Sequence, residues 1–170
     1  RQTAHDNDGH TAAIGTVRAA EVYDLEVLSE DIEDHYRLYG MAQGLAAAGA
    51  ARRITEPVLT RLDELHRSMS GTDDPDLVHD LNWEFHSLIN HTGASRRTLS
   101  VLRQLSHNLP REVYGIPQAA GPTATRQHAA IIEALRAGDG TAADHLNQEH
   151  VRAEGDEVVS VLKRNGILSN

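Results

Sequence analysis

From residue 29 onward, apolar residues return every three or four positions, the period of an amphipathic helix, and no stretch alternates with the period of a strand. The pattern predicts six helices. The first runs from about Glu30 to Arg53 behind a capping Ser29. Glu30, Asp31, Glu33 and Asp34 suit its electropositive end, and Gly44 to Ala51 is an almost unbroken run of Ala and Gly. Side chains that small predict the close approach of another helix. The second helix begins after Thr55, has Pro57 in its first turn, carries Val58, Leu62, Leu65 and Met69, and ends at Gly71. The third is capped by Asp74 ahead of Pro75, buries Val78, Leu81, Phe85, Leu88 and Ile89, and stops at Gly93. Ser95 caps the fourth, which carries Leu99, Leu102, Leu105 and Leu109 until Pro110 kinks or ends it. After a loop from Gly115 to Pro122, the fifth carries His128, Ile131, Ile132 and Leu135 and stops at Gly138. Thr141 is the expected cap of the sixth, which carries Ala143, Leu146, His150, Val158, Val159 and Leu162. Gly155 weakens its middle and Gly166 ends it. Helices joined by short links, with no internal repeat, predict an all-α antiparallel bundle. Residues 1–28 lack a period and read as a tail or linker ahead of a helical domain over 29–170. Val22, Tyr23, Leu25, Val27 and Leu28 offer an extended strap to dock on that body.

Composition narrows the function. A chain of 170 residues suits one domain. The absence of cysteine excludes disulfides, thiolate metal sites and a cysteine nucleophile. No apolar run approaches the roughly 20 residues of a membrane span. The polar segment Arg1 to His10 lacks the apolar stretch of a signal peptide, so a cytoplasmic location is expected. A net charge of −9 argues against a surface that grips nucleic acid directly. The outlier is histidine, with 11 in the chain.

Three of these histidines fall among apolar helix positions. His86 follows Asn82 by one turn and borders the stripe of Val78, Phe85 and Ile89. His128 precedes Ile131, Ile132 and Leu135, and His150 follows Ala143 and Leu146. Residues four apart on a helix share a face, the spacing at which two side chains can hold one metal ion. Two more histidines from facing helices would complete a site in a bundle core. A lone histidine on such a face is more often an ordinary core residue; three on three helices weigh against that reading. His5, His10, His35, His66, His79, His91, His107 and His145 lack this context and are expected at the surface.

The same residues carry a resemblance. The segments DIEDHYRLYGMAQGLAAAGAARR, NWEFHSLINHTGAS and QHAAIIEALRAGDGTAADHLNQEH resemble the C-terminal ligand-binding domain of GntR-superfamily transcriptional regulators of the FadR-like branch, the FCD domain. The last segment, with two histidines around a Gly138-Asp139 turn, is the most specific. The resemblance implies a bundle of six or seven helices and a divalent metal, zinc or nickel, held by Asn82, His86, His128 and His150. It also implies a small effector, often a carboxylate, and homodimers that carry the signal to operator DNA. Two positions depart from the family pattern. Asn82 stands where Asp is common, which predicts weaker metal binding. Tyr39 and Gln43 stand where an effector-facing Arg and a Glu are common, so these two are effector-binding candidates without the family's charge. The family's winged helix-turn-helix needs more chain than residues 1–28 provide, so DNA binding would come only through a domain absent from this sequence.

Two other readings follow from the same residues. One is a metal-dependent hydrolase-like enzyme, for which no acid–base partner stands out, since Glu84 and Glu149 turn away from the histidine faces. The other is a helical interaction module whose histidines are core residues and hold no metal. The sensor reading, which is not enzymatic, accounts for the most residues.

Overall fold

The computed structural model describes residues 29–107 and 122–168. These form six α-helices and no strand: α1 (Ser29–Ala51), α2 (Glu56–Ser70), α3 (Pro75–Gly93), α4 (Arg96–His107), α5 (Pro122–Arg136) and α6 (Gly140–Arg164). The predicted tail and strap, Leu109, Pro110 and the loop from Gly115 lie outside the described residues.

Most helix ends follow from local chemistry. Asp74 accepts hydrogen bonds from the backbone N–H of Asp76 and Leu77, and Pro75 opens α3 where a missing N–H costs nothing. Ser95 Oγ accepts from the Thr98 N–H at 3.1 Å. One expected cap is wrong. Asp139, not Thr141, caps α6 by accepting from the Ala142 N–H at 2.9 Å. Gly138 turns the chain at φ 69°, a left-handed conformation that favours glycine.

The Ala/Gly half of α1 is buried as expected. It lets α6 lie antiparallel against α1 at backbone distance. Tyr36 meets Gly155, Gly40 meets Gln148 and Val151, Gly44 meets Asp144, and Ala48 meets Gly140. Gly155 is therefore a packing requirement rather than only a weak point, because a Cβ there would stand 2.6 Å from Tyr36. α3 packs on the other side of α1, and α2 and α5 close the bundle. One apolar cluster gathers Leu62, Leu65, Phe85, Ile89, Ile131 and Leu135 with the end of α1. A second joins Ile32 and Tyr36 to Val151, Val158, Val159 and Leu162. No helix among the described residues is long and apolar enough to cross a membrane.

Candidate metal centre

Packing of α3 and α6 on α1, and of α5 on α6, brings together the three histidines singled out in the sequence. His86, His128 and His150 are all buried, the last two with 1% and 0% of their surface exposed. One nitrogen of each ring lies within 4.8 Å of the others. The Nε2 atoms of His128 and His150 stand 3.1 Å apart. The His86 ring stacks on His150 with centroids 5.0 Å apart. Asn82, one turn before His86, is buried beside them and donates from Nδ2 to Glu154 Oε1 at 3.4 Å.

Electrostatics keep two of these imidazoles neutral. Burial, with help from the neighbouring His150 and His128, holds His86 well below the usual histidine value. Burial first, then His150 and His66, lowers His128 to about 2. The neutral form is the one that ligates a metal. His150 is oriented from behind, since its Nδ1 lies 3.0 Å from Gln127 Oε1. An amide oxygen only accepts, so Nδ1 carries the proton and the Nε2 of a neutral ring presents a lone pair. A hydrogen bond of this kind on the far nitrogen is the usual support of a ligating histidine.

The residues fit a divalent ion. Both ring nitrogens of His86 and the Oδ1 of Asn82 are buried without a hydrogen-bond partner among the described residues. Leaving such atoms unpaired costs about 1–3 kcal/mol each, which ligation would remove for Asn82 Oδ1 and for one of the two His86 nitrogens. Two nitrogens about 2.1 Å from one ion, at right angles to each other, stand about 3 Å apart, as the His128 and His150 nitrogens do. Imidazole and amide oxygen together suit an ion of borderline softness.

A cavity of about 540 Å³ opens from this centre between α1, α3, α4 and α6. Asn82, His86 and Glu154 line it, and it extends past Asn90 to Arg103 on α4. Tyr39 and Gln43, the predicted effector residues, line it from α1. Tyr39 is half-buried and hydrogen-bonded to Gln43. Burial, reinforced by the charge of Glu154, raises its phenol above 10, so it stays a neutral donor.

Some residues were not foreseen. Glu154 is partly buried on α6, with its side chain 8% exposed, and its Oε1 lies 3.3 Å from His150 Nε2. It stands four residues after His150, the same one-turn spacing that singled out Asn82 and His86, so the signal was present. Glu84 instead pairs with Arg61 on the exposed side of α3, and Glu149 with His145. Two histidines expected at the surface are half-buried. His66 sits edge-on to His128 with centroids 6.5 Å apart, and His35 packs against Tyr36. His79, His91, His107 and His145 are exposed as expected, while His5 and His10 lie outside the described residues.

The model of the FCD domain family matches residues 34–153, most of the chain. The chain belongs to the FCD domain family. The matched stretch contains all four predicted ligand positions and ends one residue before Glu154. A second comparison finds similarity to transcriptional regulators. The chain is similar to an uncharacterized HTH-type transcriptional regulator in each of two strains of Mycobacterium tuberculosis, with 29% identity over 80 residues. The similarity covers 47% of this chain and 33% of each relative, so the FCD chain corresponds to about a third of those proteins' length.

Proposed function

We propose that residues 29–170 form the effector-sensing and dimerisation domain of a GntR-type transcriptional regulator, acting in the cytoplasm. In this reading Asn82, His86, His128 and His150 hold a divalent ion, zinc or nickel, at the floor of the cavity. The observation that carries the reading is the meeting of three buried imidazoles, one with both ring nitrogens unpartnered, at the base of a cavity sized for a small molecule. A bound ion supplies positive charge for an effector carboxylate.

The chain's own groups do the rest. Tyr39 donates from its neutral hydroxyl, and Gln43 offers a buried amide oxygen that lacks a partner among the described residues. Arg103 is the one Arg or Lys among the residues lining the cavity, and it belongs to no ion pair among the described residues. It takes over, from α4, the anion-pairing charge that Tyr39 cannot give from α1. An effector touching α1, α3, α4 and α6 together favours one packing of those helices over another. It shifts the regulator only by the difference in its affinity for the two. A homodimer would pass that shift to a winged-helix domain bound to operator DNA. Relatives named as transcriptional regulators favour sensing over turnover.

The single tryptophan, Trp83, lines the cavity and gives a direct test. Succinate or citrate titrated into zinc-loaded protein should change its fluorescence saturably, and stripping the metal should abolish the response. A response that survives stripping would refute a metal-held effector.

A further inference from the structure

Three polar atoms from different side chains crowd the inner edge of the centre. His150 Nε2 faces His128 Nε2 at 3.1 Å and Glu154 Oε1 at 3.3 Å. Gln127 Oε1 occupies Nδ1 of His150, so Nε2 is the atom left to face the carboxylate, and in the uncharged ring that ligates a metal it carries the lone pair. A lone pair and a carboxylate oxygen repel unless a cation lies between them. A proton on Nε2 has one direction to point in, while the two contacts lie on different groups. A divalent ion accepts lone pairs from several groups at once, and His150 Nε2 is the atom that both contacts share.

Glu154 is also where the missing charge is found. Its side chain is 8% exposed, and among the described residues no Lys or Arg forms an ion pair with it. Its Oε1 accepts from Asn82 Nδ2, and this fixes the orientation of that amide: the nitrogen faces the carboxylate and Oδ1, which is buried and unpartnered, faces away. Where the family commonly has Asp, this chain has the neutral Asn82, and a partly buried carboxylate from α6 stands against it.

We infer that Glu154 is an anionic ligand of this metal centre, supplying from α6 the negative charge that Asn82 does not supply from α3. The inference rests on the metal-centre reading above. The weaker metal binding expected from Asn82 alone is then offset. A buried divalent cation among neutral imidazoles and an amide lacks a counter-charge, and Glu154 provides one at the same oxygen that orients Asn82.

Zinc affinity, measured by competition with a chromophoric chelator, tests this on wild type, Glu154→Gln, Asn82→Asp, the double variant Asn82→Asp/Glu154→Gln, and His128→Ala. Glu154→Gln should weaken zinc binding by at least about tenfold, as loss of a charged ligand or a close supporting group does. The double variant moves the carboxylate back to α3 and should recover most of that loss. The absorption bands of the cobalt-loaded protein should change in Glu154→Gln, because the ligand field loses a carboxylate. Unchanged affinity in Glu154→Gln, with His128→Ala still abolishing binding, would overturn the inference and leave the histidine centre standing. Weakening that the double variant fails to rescue would overturn it as well, because Glu154 would then be a packing residue. Zinc binding untouched by His128→Ala would overturn the centre itself. A crystal structure of the zinc-loaded wild type decides the matter without any variant. A Glu154 oxygen is expected at about 2.0–2.2 Å from the ion, and one beyond about 3 Å overturns the inference.

Discussion

Gly93, the last residue of α3, rests on the backbone of Ala46 in α1 so closely that a Cβ at residue 93 would stand 1.9 Å from the Ala46 carbonyl oxygen and 2.1 Å from the Ala50 nitrogen. Backbone atoms cannot rotate away as a side-chain tip can. This contact therefore sets the distance between α1, which carries Tyr39 and Gln43, and α3, which carries Asn82 and His86. Gly93→Ala should destabilise the domain by about 3 kcal/mol or more, at or beyond the upper end of ordinary overpacking. The measurement is the urea midpoint of purified protein. A loss below about 1 kcal/mol would mean that the helices are not so close.

Metal-free protein should lose stability in mild acid. His128 has a folded value of about 2 against 6.5 unfolded, and His86 is lowered in the same direction. The unfolded chain therefore binds more protons below pH 6.5. The stabilisation is fully present above that pH and drains away as pH falls toward the folded values. Each group contributes up to about 1.4 kcal/mol per pH unit within that window. Urea unfolding of chelator-treated protein at pH 7.5 and 5.5 should show a lower midpoint in acid, and His128→Leu should lessen the difference. Equal midpoints would contradict buried, neutral imidazoles.

Gln127 touches His150 from behind and should matter to the metal without ligating it. Removing such a partner typically costs about 10–100-fold in metal affinity. Gln127→Ala should fall in that range, and Gln127→Glu, which keeps an acceptor, should retain more affinity than Ala. Equal loss in both variants would indicate a packing role.

Asn90, on the cavity wall, carries a buried Oδ1 without a partner among the described residues. Such an atom costs stability that a bound ligand can restore. Asn90→Leu should raise the stability of ligand-free protein by about 1 kcal/mol and weaken the succinate response of Trp83. A stability loss with unchanged ligand response would assign Asn90 to the core instead.

The fold was legible because its signals are local. The stripes on α2, α3 and α5, the Asp74-Pro75 start and the Ala/Gly face of α1 can each be read within two turns of sequence. The convergence of His86, His128 and His150 is a tertiary fact, yet each histidine announced itself by sitting on an apolar face. The misses have physical causes as well. Asp139 and Thr141 both favour caps, and Gly140 between them reads as a turn; yet Gly140 is the first residue of α6, and a Cβ on it would stand 3.1 Å from the Ala48 carbonyl. His66 continues the spacing of Leu59 and Leu62 toward Met69, but the more apolar Leu65 beside it drew the stripe. Glu154 lies in the polar run from Arg152 to Glu157, which reads as solvated surface. Only the close contact of α6 with α1, with the Asn82 side chain reaching across from α3, covers that one carboxylate.

Elemental analysis by mass spectrometry reads out whether the three buried histidines hold a metal ion. Protein incubated with zinc or nickel and passed through a desalting column should retain about one ion per chain, and His86→Ala and His128→Ala should retain close to none while remaining folded by circular dichroism. Equal metal content in the wild type and both variants would contradict the account.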